Sequence, residues 1–296
     1  MYSEANSPRF HDIVPKNAVL ERVSHGHILT EGPVWSARES ALYWTDIIGN
    51  TIWKWNPGVG KNIVLRPSGK ANGLTFDKEG RLVVAGWSNR TVWRMALDGS
   101  ITPLSTHYRG KKLGTPNDIV VKSDGAIYFT DPPGGLGIVE MEGEDLQQYL
   151  EYSGVYRLNA ETGELTLLTD EVPGCNGLVF SPDESLHYIN DTGGRYIEVY
   201  DVQDDGNLKN SRRFVDVVGD EPGNPDGMKV DIEGHVFCTG PAGIHVFDPS
   251  ESYLGRLKVP EACSNMAWGD ADWKTLYITA RTSVYRMRLM IQGIPV

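Results

Sequence analysis

The chain has 296 residues, with 28 Lys and Arg against 39 Asp and Glu and a formal net charge of −11. That balance argues against a nucleic-acid partner, which needs a basic surface, and suits capture of a hard cation. No apolar stretch reaches the roughly 18 residues of a membrane span, so no membrane partner is expected.

Along the chain, the opening MYSEANSPRFHDIVP lacks the apolar core of a secretory signal and is expected as a loose or strapped-down N-terminal tail over residues 1–16. NAVLERV at 17–23 then reads as an isolated strand. Six related segments follow, beginning at Glu31, Asn72, Asn117, Asn176, Asp226 and Asn265, with gaps of 41, 45, 59, 50 and 39 residues. Each has a short apolar run, a turn rich in Gly, Asp, Ser or Lys, and a second apolar run, which is a β-hairpin signature. A third strand usually follows: TIWKW, TVWRMAL, GVYRLN, IEVYDV, GIHVFD and SVYRMRL. Stretches such as NIVLR, SITPLS, LTLLTD and SRRFVDVV supply further strands.

A period of about 40–50 residues with several strands per unit is the mark of a β-propeller blade. The expectation is an all-β, six-bladed β-propeller as a single domain over residues 17–296. The sixth copy has a third strand near 283–289 and then the chain ends, so residues 17–23 are expected to close that last blade and remove an unpaired sheet edge. A two-layer β-sandwich is the competing architecture, but it does not require a repeat.

Propeller blades set their innermost strands around a central channel. The residue opening each inner strand therefore belongs at the channel mouth, which brings Glu31, Asn72, Asn117, Asn176, Asp226 and Asn265 to one level. Carboxylate and amide oxygens without a thiolate suit Ca²⁺, Mg²⁺ or Mn²⁺ better than zinc. A ring this wide supplies part of a coordination shell and leaves the rest to water or substrate, as catalysis at a metal requires. The competing reading is that Asn72, Asn176 and Asp226, each followed by Gly, are ordinary turn formers.

Fourteen or fifteen residues after the ring positions the next strand returns to the mouth. Asp46, Asp131 and Asp191 stand there, either orienting the ring amides and water or capping the strand ends. The long insertion 132–152 follows Asp131 and reads as a rim or lid, with EGEDLQQYLE forming a short helix. Most tryptophans lie within strands and read as core; Trp87 follows Gly86 at the mouth and is placed to stack on a ligand. Cys175, Cys238 and Cys263 match no zinc pattern and indicate a reducing, cytoplasmic setting. Cys175 and Cys263 flank ring positions, although buried packing suits all three thiols. No nucleophile elbow, H-E-x-x-H, phosphate loop or dinucleotide fingerprint occurs.

The motifs EGPVW at 31–35, TPNDIVV at 115–121, IYFTDPP at 127–133, GVYRL at 154–158, NGLVFSPDE at 176–184, PDGM at 225–228 and LYITA at 276–280 resemble the gluconolactonase family, which includes regucalcin and luciferin-regenerating enzyme. The resemblance covers about residues 20–290. It implies a six-bladed propeller with one divalent cation in its channel, Ca²⁺ first, with Mg²⁺, Mn²⁺ or Zn²⁺ as alternatives. It implies Glu31, Asn176 and Asp226 as metal ligands, and Asp226 also as the base. By the same resemblance Asn117 contacts the metal or the substrate beside it; from their places at the mouth, Asn72, Asn265, Thr115 and Trp87 are expected to join it in substrate binding. Animal members carry an Arg two residues before this Asn, where Thr115 stands here, so sugar recognition is expected to differ from theirs. The implied activity is opening of a sugar lactone by a monomer or small homo-oligomer. A phosphotriesterase-like hydrolase and a non-catalytic calcium-binding propeller are the alternatives.

Overall fold

The computed structural model describes residues 2–296. These form six antiparallel sheets arranged as blades, five of four strands and one of five. Their inner strands are Thr30–Ser36, Ala71–Phe76, Ile119–Val121, Cys175–Phe180, Met228–Val230 and Cys263–Gly269. Each pairs with the returning strand of its own hairpin, as in Thr30 opposite Asp46 and Cys175 opposite Asp191. The apolar alternation of each copy becomes packing between neighbouring blades: Leu74 joins Val34 and Tyr43 across blades one and two, and Met228 joins Tyr188 and Val199 across blades four and five.

Leu20–His25 pairs with Ser283–Arg288, Leu20 opposite Met287 and His25 opposite Ser283. The N-terminal strand thus completes the sixth blade, as the repeat count requires. Blade-to-blade closure leaves no open inner edge, which a sandwich would not achieve.

The residues before this strand are anchored at two places. Ser3–Ala5 adds a fifth strand to blade five against Tyr253–Lys258, and Arg9 pairs with Asp248 at 2.6 Å. Phe10, Ile13 and Val14 are buried in the core shared by blades five, six and one. Met1 of the expected tail lies outside the described residues. The four-residue turn Phe10–Ile13 is the sole α-helix among the described residues, and no helix there is long and apolar enough to cross a membrane.

The insertion differs from expectation. It contains a 3-10 turn at Pro133–Gly137, but EGEDLQQYLE forms no helix. The reason lies in Arg90, whose buried guanidinium takes the carbonyls that a helix would use. It donates to Asp145 O at 3.1 Å and Gln147 O at 2.9 Å, and from Nε to Leu113 O and Gly114 O. Lys70 donates to the carbonyls of Glu140 and Glu142, and Lys112 meets Asp145 at 3.0 Å.

Replacing Arg90 by Ala takes the donor from the buried carbonyls of Leu113 and Gly114 and the partly buried ones of Asp145 and Gln147. The expected loss is about 3 kcal/mol of stability, with residues 138–152 becoming the first site of proteolysis. Limited digestion with mass mapping checks this; an unchanged cleavage pattern would show that the insertion is held by other means.

Candidate active site

The glycine that follows four of the six ring residues explains the repeated Asn-Gly and Asp-Gly pairs. A Cβ at Gly32 would collide with the carbonyl oxygen of Asn72, and one at Gly177 with that of Asp226. The dipeptide is therefore no hairpin turn. It is a bulge that lets one blade's backbone pass close against the next, and the ladders shift register there. Side chains on the second strands then fix the neighbouring blade's ring position. Thr45 donates to Asn72 O, Thr130 to Asn176 O and Asn190 to Asp226 O, at 3.0, 2.7 and 2.6 Å.

This geometry gathers the ring residues into linked groups. Asn72 Nδ2 donates to Asn117 Oδ1 at 2.9 Å. Asn265 Nδ2 donates to Glu31 Oε2 at 3.0 Å and approaches Asp118 Oδ2 at 3.5 Å. Gly32 N also donates to Glu31 Oε2. Asn176 Nδ2 donates to Thr192 Oγ1 at 3.1 Å, and the Asn176 amide favours the ionised form of Asp226. Glu31, Asn72, Asn117 and Asn265 are buried, whereas Asn176 and Asp226 keep part of their surface open to the channel.

Two charged residues in the cluster escaped the sequence reading. Asp118 is buried and takes the slot that four of the six copies fill with glycine; Lys229 stands three residues after Asp226. The signal for Asp118 was present, since it is the one charged residue in that column. Lys229 Nζ donates to Met228 O at 2.8 Å and to Asn265 Oδ1 at 3.4 Å.

Burial raises the Glu31 pKa to about 7, with the Asp118 charge adding to it and the Gly32 amide, Asn265 and Lys229 opposing. Burial also raises Asp118, against the pull of Lys229. Asp226 lies well above the usual carboxylate range, first through enclosure of its carboxyl and then through Glu31 and Asp118; Asn176 alone opposes the rise. Three carboxylates crowded in one enclosed space cannot all ionise without a nearby positive charge. Asn72 Oδ1, moreover, is buried without a hydrogen-bond partner. Among the described residues no three His, Cys, Asp or Glu side chains stand close enough to hold a metal by themselves, so an ion here depends on amide oxygens as well. The donor set of carboxylate and amide oxygens fits a hard divalent cation.

The outer aspartates act on backbone. Asp46 accepts from Ile28, Leu29 and Gly49, Asp131 from Gly114, and Asp191 from Gly174 and Gly194. They hold the loops entering the mouth instead of the ring amides, because the strand ends leave those N–H groups without ladder partners. Trp87 is closed in by the insertion: it packs with Ile47 and Met141, and a Cβ on Gly135 would strike both its indole and the Thr115 hydroxyl. Thr115 donates to Pro132 O at the insertion's start. Cys175, Cys238 and Cys263 are buried, unpaired thiols, and burial pushes their pKa up.

Asp131 gives a pH test apart from the ring. Burial raises it to about 7, opposed by the Gly114 amide and Arg90. A carboxyl raised on folding stabilises the protein below its unfolded pKa, and that contribution is lost as pH climbs towards 7. Asp131→Asn lacks this component. Relative to wild type the variant should therefore gain a few kcal/mol between pH 4 and 7.5, at about 1.4 kcal/mol per pH unit in the steep range. Urea titrations at both pH values measure it, and parallel behaviour of the two proteins would contradict the assignment.

A cavity of about 750 Å³ lies elsewhere. It opens at the far end of the inner strands among Val34, Trp35, Phe76, Val179 and Trp268, and Lys229 is on its wall. Its lining is mainly apolar and contains no ring residue, so its size does not make it the site of the chemistry.

Residues 29–282 match the family described as SMP-30/Gluconolactonase/LRE-like region. The chain is similar to the gluconolactonase of Zymomonas mobilis, at 31% identity over 97% of this chain and 86% of that one. It is similar to the solved structure of a gluconolactonase from Xanthomonas campestris, with TM-score 0.90 and 30% identity across 98% of this chain and 95% of that one. A calcium-binding regucalcin from Agrobacterium tumefaciens shares the fold at TM-score 0.78 and 18% identity, across 94% of this chain and 96% of that one.

Proposed function

The chain belongs to the SMP-30/gluconolactonase/LRE-like family, and from that premise we propose that it is a cation-dependent lactonase that opens a sugar lactone to the aldonic acid. The observation that carries the reading is the enclosed group of Glu31, Asp118 and Asp226, with Asn176 beside Asp226, at the channel mouth. Glu31, Asn176 and Asp226 would hold the cation, Ca²⁺ foremost. A divalent cation there supplies Lewis-acid polarisation of the substrate carbonyl and stabilises developing charge on its oxygen.

The protein's own groups do the rest. Uncompensated negative charge around Asp226 strengthens its hold on a proton, and balancing that charge weakens it. In its ionised form the carboxylate takes a proton from water as the water oxygen attacks the carbonyl carbon. The bond from that carbon to the ring oxygen breaks, and the proton passes to the ring oxygen as the new hydroxyl. Asn117 offers its amide to sugar hydroxyls, and the unpaired Oδ1 of Asn72 accepts one. Asn265 holds Glu31 in place. Trp87, Thr115 and the insertion 132–152 wall the mouth and select the sugar. The three unpaired thiols accord with a reducing, cytoplasmic setting.

Parallel pH-stat assays with D-glucono-1,5-lactone, a panel of aldono-lactones and a phosphotriester test the reading. Cation-dependent acid release from a lactone is expected. Turnover of the triester in preference to every lactone, or of neither class, would overturn it.

A further inference from the structure

We propose that Lys229 is the fixed counter-charge of the channel and that it limits the ion accepted there to two positive charges. The inference rests on the cation reading above and goes further by assigning the site's charge selectivity to a residue outside the ligand set.

Lys229 is an intrusion into the repeat. The third residue after the ring position is Val34, Thr75, Val120, Val179 and Trp268 in the other five copies, none of them charged. In the fifth copy it is a lysine whose stem lines the lower cavity while its ammonium reaches Asn265 Oδ1 at 3.4 Å. An ammonium only donates hydrogen bonds. It therefore fixes the oxygen of the Asn265 amide on its own side and turns Nδ2 towards Glu31 Oε2 and Asp118 Oδ2. The same Oδ1 accepts from Met266 N at 2.9 Å, which locks the orientation.

The charges facing this group are few. One amide stands between them: Asn265 presents Oδ1 to the ammonium at 3.4 Å and Nδ2 to Glu31 at 3.0 Å and Asp118 at 3.5 Å, with Asp226 the third carboxylate of the group. Three carboxylates and one ammonium leave two negative charges, which a divalent ion neutralises; a trivalent ion overshoots. Without the ammonium the deficit becomes three. Coulomb energy scales with ion charge, so loss of Lys229 favours a trivalent ion more than a divalent one.

The test uses the full chain, stripped with chelator, as wild type and as Lys229→Met, Lys229→Gln and Lys229→Arg. Each is titrated calorimetrically with Ca²⁺ and with Tb³⁺. Gln keeps an N–H donor for Asn265 without the charge, so the experiment stands if the Met variant folds poorly. Both neutral variants should raise the ratio of the Ca²⁺ to the Tb³⁺ dissociation constant by about tenfold, and Arg should leave it as in wild type. A ratio unmoved in the neutral variants overturns the proposal, even where both affinities fall, because a purely structural lysine weakens both ions alike. If wild type binds neither ion, the cation reading fails and this proposal fails with it. If wild type binds both and the ratio stays fixed, the proposal alone fails.

Discussion

Asp226→Asn should lower kcat on a sugar lactone by about a thousandfold while the protein remains folded. The amide preserves the shape of the carboxylate and one of its oxygens, but it cannot accept a proton from water. The substitution should not destabilise the cation-free protein at neutral pH. The carboxyl it replaces sits in an enclosed space beside Glu31 and Asp118, where its own charge is disfavoured. The backbone carbonyl of Asp226, held by Asn190 at 2.6 Å, is untouched. Circular dichroism and thermal melts should therefore resemble wild type, with the loss confined to turnover. Near-normal kcat would remove Asp226 from the reaction.

Removing the cation is the second large effect. Dialysis against chelator should abolish lactone hydrolysis, and readdition of Ca²⁺ should restore it. Stability should fall in the same step, because an ion bound to the folded state alone contributes about 2.7 kcal/mol at a hundredfold excess over its Kd. Uncompensated repulsion among Glu31, Asp118 and Asp226 acts in the same direction. Differential scanning calorimetry with and without Ca²⁺ reads this directly. Full activity and an unchanged Tm after exhaustive chelation would refute the dependence.

The blade count and the closing strand were legible because each blade repeats one hairpin, and a sixth copy short of a strand demands a partner. The gathering of Glu31, Asn72, Asn117, Asn176, Asp226 and Asn265 at one end of the inner strands was legible because each stands just before or within the start of the first apolar run of its copy. Asp118 and Lys229 stand one and three residues past the ring positions, outside the column of polar residues that the repeat marks, so only their charge set them apart from the other copies. The helix expected from EGEDLQQYLE failed because a buried arginine 55 and 57 residues upstream takes the carbonyls of Asp145 and Gln147, a long-range contact that overrides local propensity. Asp46, Asp131 and Asp191 sit at the expected level, but their hydrogen bonds go to loop amides that no periodicity in the sequence marks.

Crystals grown from chelated protein and soaked in Mn²⁺ put the central claim to its most direct test, through the anomalous scattering of the ion. A single peak bounded by the side chains of Glu31, Asn176 and Asp226, on the mouth side of Asn265, is the expected result. A map without a peak in the channel, or with its peak away from those three residues, would contradict the account.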